Sequence, residues 1–128
     1  MIITILPSSA NFHAIAYNEM KVEKGQATLL EVQNIDGLRP ETYTADNLQW
    51  YFLQYSARNT YIKKPQFHIA VSCKGTEYSH QQLLDIAHRY LKEMGYADDG
   101  QPLLVYAHHD TANNHIHIIT SRVAPDGH

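Results

Sequence analysis

The sequence predicts an α+β domain in which an antiparallel or mixed sheet is backed by helices. Three observations carry this. β-branched or alternating runs recur along the chain, stretches with helical start and stop residues lie between them, and two consecutive strand-like runs joined by a loop close the pattern. The implied order is β-α-β-α-β-α-β-β. A length of 128 residues suits a single domain with a core large enough to fold alone.

Each element has a local reason. "MIITIL" is a short strand that Pro7 ends. "SSANFHAIAYNEMKVEKG" reads as a helix, capped by Ser8 or Ser9 and stopped by Gly25, with Phe12, Ile15, Ala16 and Met20 as its apolar stripe. "QATLLEVQNI" is strand-like, and "DGLRPETY" is a loop broken by Asp36-Gly37 and Pro40. "TADNLQWYFLQYSARN" is a second helix with Thr44 as N-cap. "KPQFHIAVSCK" alternates Phe67, Ile69, Val71 and Cys73 against His68, Ala70 and Ser72, a strand with one strongly apolar face. "SHQQLLDIAHRYLKEMGY" is the clearest helix, with Ser79 as cap, Leu83, Ile86, Ala87, Tyr90, Leu91 and Met94 as stripe, and Gly95 as stop. "QPLLVYAHH" and "HIHIITSRVA" supply the last two strands. Pro125-Asp126-Gly127 is a turn signal close to the last residue, from which the chain is expected to be the N-terminal fragment of a longer protein.

Bulk properties narrow the function classes. No apolar run approaches the length of a membrane span, and "MIITILPSS" lacks the basic start and length of a secretory signal. A single Cys73 excludes an internal disulfide framework, so a reducing, cytoplasmic location is expected. The formal net charge of -3 weighs against a strongly basic nucleic-acid surface, although Lys21, Lys24, Arg58, Lys63, Lys64 and Lys74 could still cluster in space. A bound divalent metal would add local positive charge.

The stretch "HHDTANNHIHII", residues 108–119, holds four of the nine histidines. On the last strand His115 and His117 share one face. On the strand before it Leu104, Tyr106 and His108 share a face. Antiparallel pairing around the "HDTANN" loop sets His108 opposite or diagonal to His115 and His117, within the roughly 4.5–8 Å of same-face cross-strand neighbours. Three converging imidazoles suit a metal site with open positions. Taken alone, His-x-His on a strand is more often an ordinary surface pair; the third histidine on the neighbouring strand tips the balance. The intervening residues are explained by turn chemistry, or, for Asp110, by accepting a ring N–H that fixes a ligand's tautomer.

"HHDTANNHIHIITSRV" resembles the third motif of mobilization relaxases, members of the HUH endonuclease superfamily. His108, Asp110, Asn113, His115 and His117 fall in register with its His-x-Asp-x-x-Asn-x-His-x-His pattern. The resemblance implies a central antiparallel sheet flanked by helices, over the whole of residues 1–128. It also implies site- and strand-specific nicking of single-stranded DNA at a transfer origin, with possible accessory mobilization proteins and no membrane. A divalent metal, magnesium or manganese, would sit on His108, His115 and His117; on ligand chemistry zinc or nickel would also suit three imidazoles.

The implied reaction needs a tyrosine nucleophile early in the chain. Tyr17 lies off the apolar stripe of its helix, on the side of His13 and Lys21, where a hydroxyl can reach a cleft. "FHAIAYNEMKV" is similar to the family's first motif and points to the same residue. Tyr106, on the face of His108, is the runner-up. "FHIAVSCK" and the helix after it are similar to the second motif, in which Ser72 would contact DNA near the scissile phosphate; Lys21, Lys74 and Asn113 are further candidate DNA contacts. His68 shares a face with Ser72 and could point to the same site, whereas His13, His80 and His88 are expected at the surface. A phenol is mostly protonated at neutral pH, so the metal, Asp110 or a bound hydroxide must take its proton. Two other readings stay open: another metal-dependent hydrolase sharing the three-histidine hairpin, and a DNA-binding module whose chemistry has decayed. Hydrolysis of a small ester without action on single-stranded DNA would mark the first; an intact histidine set argues against the second.

Overall fold

The computed structural model describes residues 1–96 and 100–127. Its elements are β1 (Ile2–Leu6), α1 (His13–Glu23), β2 (Ala27–Gln33), a 3₁₀ turn (Pro40–Thr42), α2 (Ala45–Ser56), β3 (Gln66–Ser72), α3 (His80–Glu93), β4 (Leu103–His108) and β5 (His115–Ser121). The five strands form one sheet in the order β1-β3-β5-β4-β2, and every neighbouring pair is antiparallel. The expected antiparallel α+β architecture is therefore the one observed.

Strand alternation divides the core into two layers. On one face Phe67, Ile69, Val71, Leu103, Val105, Ala107, Ile116 and Ile118 pack under Leu83, Leu84, Ala87 and Leu91 of α3. On the other, Leu104, Tyr106 and Ile119 pack under Phe12, Ala14 and Ile15 beside α1 and Leu48 and Phe52 of α2. β4 is buried along its whole length because helices cover both faces. No helix among the described residues is long and apolar enough to cross a membrane.

The caps of α2 and α3 follow the sequence. Thr44 Oγ1 accepts from Asn47 N at 3.1 Å, and Ser79 with Gln82 closes a reciprocal capping box. The start of α1 does not. It begins at His13, behind Phe12 in a left-handed conformation with φ 55°. Ser9 Oγ accepts from Asn11 N and His13 N at 3.1 and 3.4 Å, making a turn ahead of the helix in place of an N-cap. A non-glycine residue in this conformation costs roughly 1–2 kcal/mol. Burial of the Phe12 ring, fully enclosed and 5.1 Å from Phe52, offsets it. The buried face of α1 is accordingly Ala14, Ile15 and Asn18; Met20, expected on the stripe, is exposed.

Candidate metal centre

The β4–β5 register places His108 directly opposite His115 and Tyr106 opposite His117. All four share the sheet face that α1 covers, at the end where the hairpin loop turns. Each of His108, His115 and His117 offers a ring nitrogen such that these atoms all lie within 4.8 Å of one another. The ring centroids are 4.7 Å apart for His108–His115, 4.2 Å for His108–His117 and 5.5 Å for His115–His117. The convergence expected from strand parity is present.

One nitrogen of each ring is engaged, leaving the other available. Asn113 O lies 3.1 Å from His115 Nδ1; a carbonyl only accepts, so Nδ1 donates and Nε2 keeps its lone pair. Asn18 Nδ2 donates to Ala14 O at 2.8 Å, which turns Asn18 Oδ1 toward His108 Nε2 at 2.6 Å. His108 Nε2–H therefore donates, and Nδ1 is free. His117 Nδ1 lies 2.7 Å from His68 Nε2. Burial, joined by neighbouring imidazoles, pulls His108 down to about 4 and His117 to about 3; burial pulls His68 down to about 4. These rings are neutral at neutral pH, the form a metal requires. Free ring nitrogens on all three histidines, their mutual reach and the neutrality of His108 and His117 together fit a divalent cation.

Asp110 is not the group that sets a ligand tautomer. Its Oδ1 lies 3.9 Å from His108 Nδ1, beyond hydrogen-bond reach, while Oδ2 is bound by Lys21 Nζ. Lys21 holds the Asp110 carboxyl below the usual carboxylate range, and Asp110, followed by Tyr17, raises Lys21. The Lys21 ammonium also lies 5.3 Å from the centroid of the Tyr17 ring. Tyr17 is 48% exposed on α1. Tyr106 is fully buried, its hydroxyl donates to Glu19 Oε2 at 2.6 Å, and burial together with Glu19 pushes its pKa up.

Ser72, Lys74 and Asn113 line one cleft of about 290 Å³ with Met1, Ile2 and Cys73. Ser72 is paired across the sheet with His115, so the cleft adjoins the triad. Lys21 stands apart from it, against Asp110. Asn113 also braces the loops: its Oδ1 accepts from Gly75 N at 2.8 Å. His68 does face the triad. His80 is not free on the surface, since its Nε2 donates to His108 O at 3.2 Å, and His88 pairs with Glu31 at 2.9 Å. Asn18 was missed by sequence reasoning. Its signal was a polar residue one turn after Ala14 on the buried side, obscured when the stripe was set through Ala16 and Met20.

Residues 17–128 match the family described as relaxase, MobA/VirD2-like, nuclease domain. The chain belongs to the relaxase nuclease family. No curated protein and no solved structure matches it. Relaxases are metal-dependent DNA-nicking enzymes that act on single-stranded DNA. In this relaxase the histidine pattern, the antiparallel sheet and the converging triad agree with that chemistry.

Proposed function

We propose that this relaxase domain cleaves one strand of DNA at a transfer origin by tyrosine transesterification, and so initiates mobilization of a genetic element. The observation that carries the reading is the convergence of three imidazoles beneath a helix that carries an exposed tyrosine, whose ring lies 5.3 Å from the Lys21 ammonium that binds Asp110. The Tyr17 oxygen forms the new bond to phosphorus and the bond to the 3′ oxygen breaks. The phenol proton leaves to solvent or a nearby base, and the departing 3′ oxygen takes up a proton. The products are a 5′-phosphotyrosine and a free 3′ hydroxyl.

His108 through Nδ1, and His115 and His117 through Nε2, would hold the divalent metal. A metal held there would supply polarisation of the phosphate oxygens and offset their developing charge. Manganese or magnesium suits phosphate chemistry, and three imidazoles also suit zinc or nickel. Asp110 is a weak proton acceptor because Lys21 stabilises its charged form. Its role in this reading is to anchor the Lys21 ammonium beside Tyr17, where the positive charge offsets phosphate and phenolate charge. Ser72, Lys74 and Asn113 would contact the strand along the adjoining cleft.

The test is Tyr17→Phe on an oligonucleotide that carries the transfer origin. The substitution removes one hydroxyl from an exposed residue, so metal and DNA binding should persist while the covalent adduct disappears from a denaturing gel. Retention of the adduct in Tyr17→Phe, with its loss in Tyr106→Phe, would reassign the nucleophile.

A further inference from the structure

One buried side chain beside the triad to which this mechanism gives no task is His68. It sits on β3, two residues from Ala70, the cross-strand partner of His117, and on the same sheet face as the triad. It is 8% exposed, its ring centroid lies 5.0 Å from that of His117, and the Nε2 to Nδ1 separation is 2.7 Å. Two neutral imidazole nitrogens at that distance cannot both carry hydrogen or both present lone pairs; one donates to the other. If His117 is to keep a lone pair on Nε2 at the triad, its only proton is on Nδ1. His68 Nε2 must then accept, and the proton of His68 is on Nδ1.

We propose that His68 is a positioning residue for the metal centre, accepting the Nδ1–H of His117 and so turning His117 Nε2 toward a divalent cation. This rests on the metal-dependent reading above. The ring comes from a strand outside the hairpin, so it fixes His117 against rotation independently of the hairpin loop. Its partner chemistry matters as well. Asn18, the Asn113 carbonyl and His68 back the three triad rings, and all are neutral groups. Carboxylate backing would raise ligand basicity but place negative charge beside the site. Neutral backing leaves the cation's charge available to an anionic phosphodiester.

The experiment uses the full chain as wild type, His68→Leu and His68→Gln. Long-range proton–nitrogen NMR on metal-free protein reads the His117 tautomer, and calorimetric titration with manganese reads affinity. Wild type should show a single Nδ1–H form of His117. His68→Leu should show mixed tautomers and a loss of affinity of roughly 10- to 100-fold, the usual cost of an outer-shell partner. His68→Gln, whose amide oxygen can accept the same proton, should restore both. An Nε2–H form of His117 in wild type overturns the proposal, as does a folded His68→Leu with unchanged tautomer and affinity. If His68→Leu does not fold, the wild-type tautomer and the glutamine variant decide. A wild type that takes up no divalent metal removes the metal reading, while the tautomer measurement still decides whether His68 accepts from His117.

Discussion

Among the triad residues, His115 gives the cleanest substitution. Its outer partner is a carbonyl on the exposed loop, so truncation orphans no buried group. Truncating His117 would strand the buried His68 ring, and truncating His108 would strand Asn18 Oδ1. His115→Ala is therefore expected to leave the melting temperature of metal-free protein within a few degrees of wild type. Manganese affinity should fall by more than the roughly 10- to 100-fold associated with an outer-shell partner. Calorimetry decides; unchanged affinity removes His115 from the site. At this scale the convergence of the three histidines was legible, because strand parity fixes which side chains share a face. Asn18 was not, because which helical residues are buried depends on the rotation of α1 over the sheet. That rotation follows from Phe12, whose burial moves the helix start to His13.

Among the elements, α3 is the test of whether the two sheet faces are separable. Among the described residues it is the helix that packs on the face opposite the triad, through Leu83, Leu84, Ala87 and Leu91. Its start is held by the Ser79–Gln82 capping box, with Ser79 Oγ accepting from Gln82 N at 3.1 Å. Ser79→Ala should cost about 1 kcal/mol of stability, within the usual range of roughly 0.5–2 for an N-cap. Urea unfolding measures this, and manganese affinity should not change. A large loss of affinity would mean that His80, whose ring donates to His108 O, transmits strain from α3 to the hairpin. Caps and strand alternation act within a few residues, which is why α2, α3 and β3 could be read directly from sequence. The order β1-β3-β5-β4-β2 places β5 at the centre and joins strands far apart in the chain, and no local signal specifies it.

Across the whole molecule, three enclosed imidazoles on one sheet face, His68, His108 and His117, make stability depend on acid. His68 and His108 are held near 4 and His117 near 3, against about 6.5 for histidine in an unfolded chain. Because the folded values are depressed, the unfolded chain binds more protons below 6.5. Stability is thus fully present above pH 6.5, falls as pH drops toward 4, and levels off once the folded rings also protonate. The histidine contribution is isolated between about 6.5 and 5, since most carboxylates titrate lower. Urea midpoints measured in the presence of a chelator should decline through that window. A flat profile there would mean the rings are solvated and not enclosed as described.

By itself the sequence determined that the chain alternates strands and helices, that β3 has one apolar face, and that His108, His115 and His117 meet. Those follow from side-chain periods and from hairpin pairing, both of which are local. Tertiary structure decided which neutral partner fixes each imidazole and left Tyr17 exposed while enclosing Tyr106. It also drew Asp110 away from His108 and onto Lys21. Each of those outcomes depends on how α1 and β3 approach the hairpin across long stretches of chain. Burial and hydrogen-bond geometry exist only once the layers have packed.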